Sequence, residues 1–373
     1  MSKLIVEIVR MKSMEKIPTA DTLLITQVKG WYCILKDDGT IKDGDLAVYI
    51  PIDSIVPNEL ADKYNLEYLK NGSRVRTVKL RGYISQGLVL PIDCLPDGDW
   101  KEGDDVAEVL GIKKWEPPSA AWQQPAAKGK RTRSMKNNPN PDFRKYTDID
   151  NIKNYPGIFN EGDEVVVTEK IHGTNFRVAY IKRYTKGVWS KIISWLLGKY
   201  QFLVGSHNVQ IGEGRECAFY GADVYSKIAK RYKLYDVMKE NPGCELFGEI
   251  YGVDSDTGAK IQDLTYGKPE LDVVFFDLIK DGQYVPFDEF MNFCNRYSLP
   301  TVPLLFRGIL TQGIIEACTA GESVLANING AKQIREGAVV KDPLETSHPR
   351  LGRKILKSIS EDYLLRKDGT ENH

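Results

Sequence analysis

The chain has 373 residues, more than one hydrophobic core ordinarily serves, so two domains are expected. Lysine plus arginine equals aspartate plus glutamate at 51 each, which excludes a global basic field and makes any nucleic-acid surface local. Six scattered cysteines without a C-x-x-C pair, and four histidines that do not join them, speak against structural zinc and for reduced thiols in a cytoplasmic or nuclear, intracellular setting.

Taken in chain order, the apolar stretch 4–9 contains Glu7 and is too short for a signal peptide. Residues 1–115 then read as short strands separated by turns: LLITQVKGWYCILK (23–36), LAVYIPI (46–52), RVRTVKL (74–80) and QGLVLPI (86–92). Short strands without long helical patterns predict a small β-barrel. An OB-type barrel that binds oligonucleotides leads, with another barrel serving as a spacer as the alternative. Residues 116–142 are rich in proline, alanine and asparagine and read as a linker. Its run Lys128, Lys130, Arg131, Arg133 and Lys136 suits a phosphate backbone, or is merely solvated.

From 143 to 373 strands and helices mix, with strands in EVVVTEK and LDVVFFDLI and a helical stretch in DVYSKIAKRYKLYDVMKEN. Between them, 183–201 is amphipathic; Trp189, Ile192, Ile193 and Leu196 have the spacing of a helical core face, and the stretch is too short and too charged to span a membrane. A soluble protein is expected.

The segment EVVVTEKIHGTNFRVAYI (164–181) places Lys170 at the end of a buried strand, with His172-Gly173 turning directly after it. A lysine amine is protonated near pH 7 and a poor nucleophile, but burial and a neighbouring cation favour its neutral form. Taken alone, a lysine in such a turn is usually a surface residue.

Lys170-Ile171-His172-Gly173-Thr174-Asn175 resembles motif I, K-x-[DH]-G, of the covalent nucleotidyltransferases, and its histidine and asparagine resemble the T4 RNA ligase 2-like branch. LFGEIYG (246–252) resembles motif III, LDVVFFDL (271–278) motif IIIa, REGAVVK (335–341) motif IV and RKILKSISEDYL (353–364) motif V. The five stand in family order over about 190 residues. Upstream, GWYCILK, GDLAVYIPIDSIVP and LRGYISQGLVLPI resemble the OB domain that precedes the catalytic domain in two-domain ATP-dependent RNA ligases. In that branch the chain ends soon after motif V. The implied fold class is α+β: an OB-type barrel (1–115), the linker (116–142), and a nucleotidyltransferase domain (143–373) of ATP-grasp-like antiparallel sheets with helices.

The resemblance also implies roles. Lys170 would become adenylylated, Lys357 would neutralise the α-phosphate, and Glu249 and Glu336 would hold ribose or lysine and, through water, Mg²⁺ or Mn²⁺. Phe276 would stack on adenine, with Phe275 second. Glu169, Ile171 and Asn175 would line the ATP site. Lys354 stands near the place of a second motif V lysine, although it points differently on a strand. In VGSHN (204–208), His207 occupies the usual place of a phosphate-binding arginine, so Arg144 or Arg177 could supply that clamp instead. The expected partner is a nicked duplex with an RNA 3′-hydroxyl strand, bound by a monomer away from membranes. A capping-type guanylyltransferase and a catalytically weak nucleic-acid scaffold are the alternatives.

Overall fold

A computed structural model describes residues 4–115, 140–184, 199–207, 210–212, 224–366 and 369. The linker lysines and arginines from Lys128 to Lys136, and the apolar face Trp189–Leu196, lie outside the described residues. The chain divides into two compact units, one of Met1–Ser119, Asp148–Asn160 and Leu356–His373, the other of Ala120–Thr147 and Glu161–Ile355. Residues 148–160 and the C-terminal stretch thus group with the N-terminal strands rather than with their sequence neighbours. Among the described residues no helix is long and apolar enough to cross a membrane.

The first unit is built from strands β1 (Glu7–Arg10), β2 (Leu23–Val28), β3 (Trp31–Lys36), β4 (Leu46–Ile50), β5 (Thr77–Leu80), β6 (Tyr83–Gln86) and β7 (Leu88–Pro91). β4 lies between β1 and β7, while β2–β3 and β5–β6 are hairpins, all antiparallel. The stretch 23–36, which reads as one apolar run, is two strands. Lys29 (φ +54°) and Gly30 form a two-residue turn, with Val28 opposite Trp31. A Cβ on Gly30 would stand 2.7 Å from the Lys153 Cα, so the turn can lie only on a glycine. The Gly30 N–H donates to the Lys153 carbonyl at 2.8 Å, and the Trp31 indole donates to Asn154 at 2.7 Å. These bonds draw 148–160 into the first unit.

The second unit contains β8 (Glu164–Lys170), β9 (Thr174–Lys182), β10 (Tyr200–Gly205), β11 (Cys244–Tyr251), β12 (Asp272–Lys280), β13 (Leu304–Ile309) and β14 (Gly337–Lys341). β8 runs antiparallel between β13 and β14, and a second antiparallel sheet has the order β10-β9-β11-β12. Helices α1 (Val224–Arg231), α2 (Leu234–Glu240) and α3 (Phe287–Arg296) cover the second sheet. The 3.6-residue spacing of Val224, Tyr225, Ile228 and Ala229 turns one face of α1 inward. Lys233 in the left-handed region (φ +50°) divides the expected single helical stretch into α1 and α2. Their side chains share a core with Val178, Leu246 and Phe275 from the sheet, and with Val166 from β8. That shared core fixes the two sheets against each other along the segment that carries Lys170.

Candidate active site

β8 is buried at all of Val165–Glu169 and surfaces at its last residue, Lys170, whose side chain is 15% exposed. Apolar residues lock the strand, so the amine emerges from a fixed backbone. Lys170 stands opposite Gly337 of β14, next to Glu336. Its Nζ donates to Glu336 Oε1 at 2.6 Å, and the Glu336 side chain is 1% exposed. The third member arrives from the other sheet. Glu249 of β11 faces Asn175 across the β9–β11 ladder. Burial pushes the Glu249 carboxyl up to about 8; Lys170 offsets part of that rise, Glu336 adds to it, and the Gly173 N–H donates to it. Residues separated by 166 and 79 positions in sequence therefore meet around one amine.

Gly173 makes this convergence possible. A Cβ there would lie 2.2 Å from the Ile250 carbonyl oxygen and 3.0 Å from Glu249 Cγ. Gly173→Ala is expected to lower stability by about 1–3 kcal/mol, the range for forced overpacking. Denaturant unfolding should show a lower midpoint at unchanged slope. An unchanged midpoint would mean that the β8–β9 turn has room the geometry denies.

Three acceptor atoms on these residues and their neighbours are buried without a protein partner: Glu336 Oε2, on the carboxylate that holds Lys170, Asn175 Oδ1, on the residue opposite Glu249, and Glu169 Oε1, on the residue before Lys170. Burying an unmatched acceptor costs about 1–3 kcal/mol, so each of these atoms is open to a donor from a bound molecule. Glu169 is otherwise tied by the Leu325 N–H at 3.1 Å, and burial pushes its carboxyl up. Ile171 is buried. His172 is 3% exposed, and its backbone N–H donates to the Tyr266 hydroxyl at 2.7 Å, which holds the motif I turn from behind.

On β12 the adjacent phenylalanines separate. Phe275 is fully buried in the shared core, while Phe276 is partly exposed. Strand alternation separates the two rings; a bulge follows, with Gly248 paired to Phe275 and Phe247 to Asp277, so Phe276 has no cross-strand partner.

The other predicted residues have partners of their own. Arg177 is 4% exposed, and its Nε and Nη1 donate to the carbonyls of Ser206, Phe143 and Arg144 at 2.6–2.8 Å. Burial lowers its pKa to about 10, with Glu245 opposing. Its donors hold backbone, which corrects the expectation of a phosphate clamp. Arg144 is exposed, its guanidinium lies over Gly282, and its N–H donates to Glu245 at 2.8 Å. His207 is half-buried at the end of β10. Lys354 is ion-paired with Asp163 at 2.9 Å. Lys357 lies on the buried strand β15 (Ile355–Ile359) and belongs to the first unit, where its N–H donates to the Asp150 carbonyl at 2.9 Å.

The sequence reading missed a buried charge array. Asp277 accepts from Lys341 at 2.6 Å, Arg353 at 2.7 Å and the Tyr146 hydroxyl at 2.5 Å, and Glu345 accepts from Lys341 and Arg353. Burial alone would raise Asp277; Arg353 and Lys341 outweigh it and hold the carboxyl low. Lys341 and Arg353 sit inside the motif IV and V segments, where an unexplained cation was the available clue.

A family model described as RNA ligase matches residues 163–359, and an OB-fold domain model matches 5–92. No curated protein matches the chain. Solved structures of a Naegleria gruberi RNA ligase are similar over almost the whole chain. A lysine-to-alanine variant with ATP and Mn is 27% identical, covers 96% of this chain and 98% of that one, and superposes with a TM-score of 0.71. A lysine-to-methionine variant with AMP and Mn is 28% identical with the same coverage and TM-score, and a third structure, with PPi, is 27% identical over 97% and 98% at 0.71. With an OB-fold domain ahead of antiparallel sheets that gather one lysine and two glutamates, and with more than half of its length matched, the chain belongs to the RNA ligase family.

Proposed function

We propose that this chain joins an RNA 3′-hydroxyl to a 5′-phosphate at a nick in a duplex, consuming ATP through a Lys170–AMP intermediate and acting as a monomer. The observation that carries this reading is the Lys170 amine in contact with Glu336, with Glu249 beside it and unmatched acceptors on Glu336, Asn175 and Glu169. In the first step the neutral amine attacks the α-phosphorus, the bond to the bridging oxygen breaks, and pyrophosphate leaves. AMP then passes to the 5′-phosphate, regenerating the amine. Finally the 3′-hydroxyl attacks that phosphorus and AMP is released. Every step is phosphoryl transfer, in which positioning and charge neutralisation dominate. The ATP, AMP and PPi named with the Naegleria structures are the substrate and the two fragments of the first step.

Among the described residues no three His, Cys, Asp or Glu side chains gather as a metal-ligand set. Glu249 and Glu336 are nevertheless suited to Mg²⁺ or Mn²⁺, because Mg²⁺ keeps several waters and needs only one or two carboxylates beside the phosphates. We assign Lys357 as the cation for the α-phosphate, Phe276 to the adenine face, Glu169 and Asn175 to donors on the nucleotide, and Arg144 and His207 to phosphate or RNA contacts.

Incubation with ATP radiolabelled at the α-phosphate and Mg²⁺ is expected to give an AMP–protein adduct that survives alkali and is hydrolysed in acid, as a P–N bond to lysine requires, and the purified adduct should seal a nicked RNA duplex in one turnover. Sealing of RNA nicks and of RNA-ended nicks on DNA, run side by side, defines the strand preference. Labelling by GTP but not by ATP would overturn the reading.

A further inference from the structure

Phe276 and Asp277 are neighbours in sequence, and in an ideal strand they would point to opposite faces. The bulge lets both reach Tyr146. The Phe276 and Tyr146 rings meet edge to face, centroids 4.8 Å apart, and the Tyr146 hydroxyl donates to Asp277 at 2.5 Å. Phe247 and Tyr284 enclose the same ring at 5.2 and 5.9 Å. Behind it, the Arg353 guanidinium lies 3.6 Å from the centre of the Tyr284 ring and bonds both Asp277 and Glu345. The segment that carries Tyr146 is tied down separately, by Arg177 on the carbonyls of Phe143 and Arg144 and by Glu245 on the Arg144 N–H.

We propose that Tyr146, anchored through its hydroxyl to Asp277 and Arg353, is a positioning residue that fixes the Phe276 ring for stacking on the nucleotide base. A half-exposed phenylalanine at a bulge has no ladder partner to set its angle, and an unfixed ring must be ordered each time a base binds. An edge-on ring with its own charged anchor removes that freedom before the nucleotide arrives, which is worth binding energy without any new contact. The inference rests on the assignment of Phe276 to the base.

The test measures KM for ATP and the maximal rate of protein–AMP formation in Phe276→Leu, Tyr146→Leu, their combination, and Tyr146→Phe. Phe276→Leu is expected to raise KM about tenfold, in the range of a lost base stack. Tyr146→Leu should raise it about three- to tenfold with the maximal rate largely kept. The double variant should be no worse than Phe276→Leu alone, because Tyr146 acts only through that ring. Tyr146→Phe, which keeps the ring and its packing, should show a smaller rise in the same direction. Independent multiplication of the two leucine effects, or an unchanged KM in Tyr146→Leu beside a raised one in Phe276→Leu, overturns the positioning role alone. An unchanged KM in Phe276→Leu overturns the stacking assignment and this inference with it.

Discussion

Lys170→Ala is expected to abolish AMP transfer to the protein, a loss of roughly 10³-fold or more, since removal of a covalent nucleophile leaves only binding and electrostatic stabilisation. Alanine also removes the partner of Glu336, a 1% exposed carboxylate, so some loss of stability must be separated from the loss of chemistry. Lys170→Arg makes that separation. Its guanidinium can still pair with Glu336, but it stays charged at any working pH and cannot attack phosphorus. Both variants should lack the adduct, while only the alanine variant should melt appreciably lower. A strand supplied already adenylylated at its 5′ end should still be joined by the arginine variant, because the final attack belongs to the 3′-hydroxyl. Full labelling of either variant with ATP would place the nucleophile elsewhere.

How much of this could be read from the chain depends on whether the information is local. Lys170 was legible because a run of valines, one lysine and a glycine turn lie within ten residues, and the strand boundary at Lys170 follows directly. That Phe275 and Phe276 face opposite sides follows from strand alternation, whereas the bulge, set by pairing with β11, decides where Asp277 points and leaves no mark in the local sequence. Arg177 was misread because its fate depends on the carbonyls of Phe143 and Arg144, over thirty residues away, and a cation on an alternating strand carries no mark of them. Tyr146 was invisible for the same reason: it lies outside every motif and gains its meaning from Asp277 and Arg353. The Lys29–Gly30 turn was missed because a lysine with positive φ carries no turn signature, and only the glycine after it hints at a break.

Glu249→Gln is expected to move stability and activity in opposite directions. The Glu249 carboxyl, pushed up to about 8 chiefly by burial, binds its proton more tightly in the folded chain than in the unfolded one, where it titrates near 4.5. The stability it contributes is therefore complete below the unfolded value and is lost as pH rises through about 8. Glutamine mimics the protonated form and carries no such dependence. The variant should match the parent near pH 4.5 and outlast it increasingly toward pH 8–9, by roughly 2–4 kcal/mol after allowing for relaxation around the charge. Glu245, raised to about 7, and Glu169 titrate in the same sense, so the parent's decline should be reduced in the variant rather than removed. Sealing should nevertheless fall by about 10²-fold or more, because a neutral amide is a poorer partner than a carboxylate for the hydrated divalent cation that would neutralise the phosphates. Melting curves of the two proteins across pH 5–9, without nucleotide, decide the first half. Parallel curves would mean that the Glu249 carboxyl is already ionised beside Lys170, and that its burial does not govern its charge.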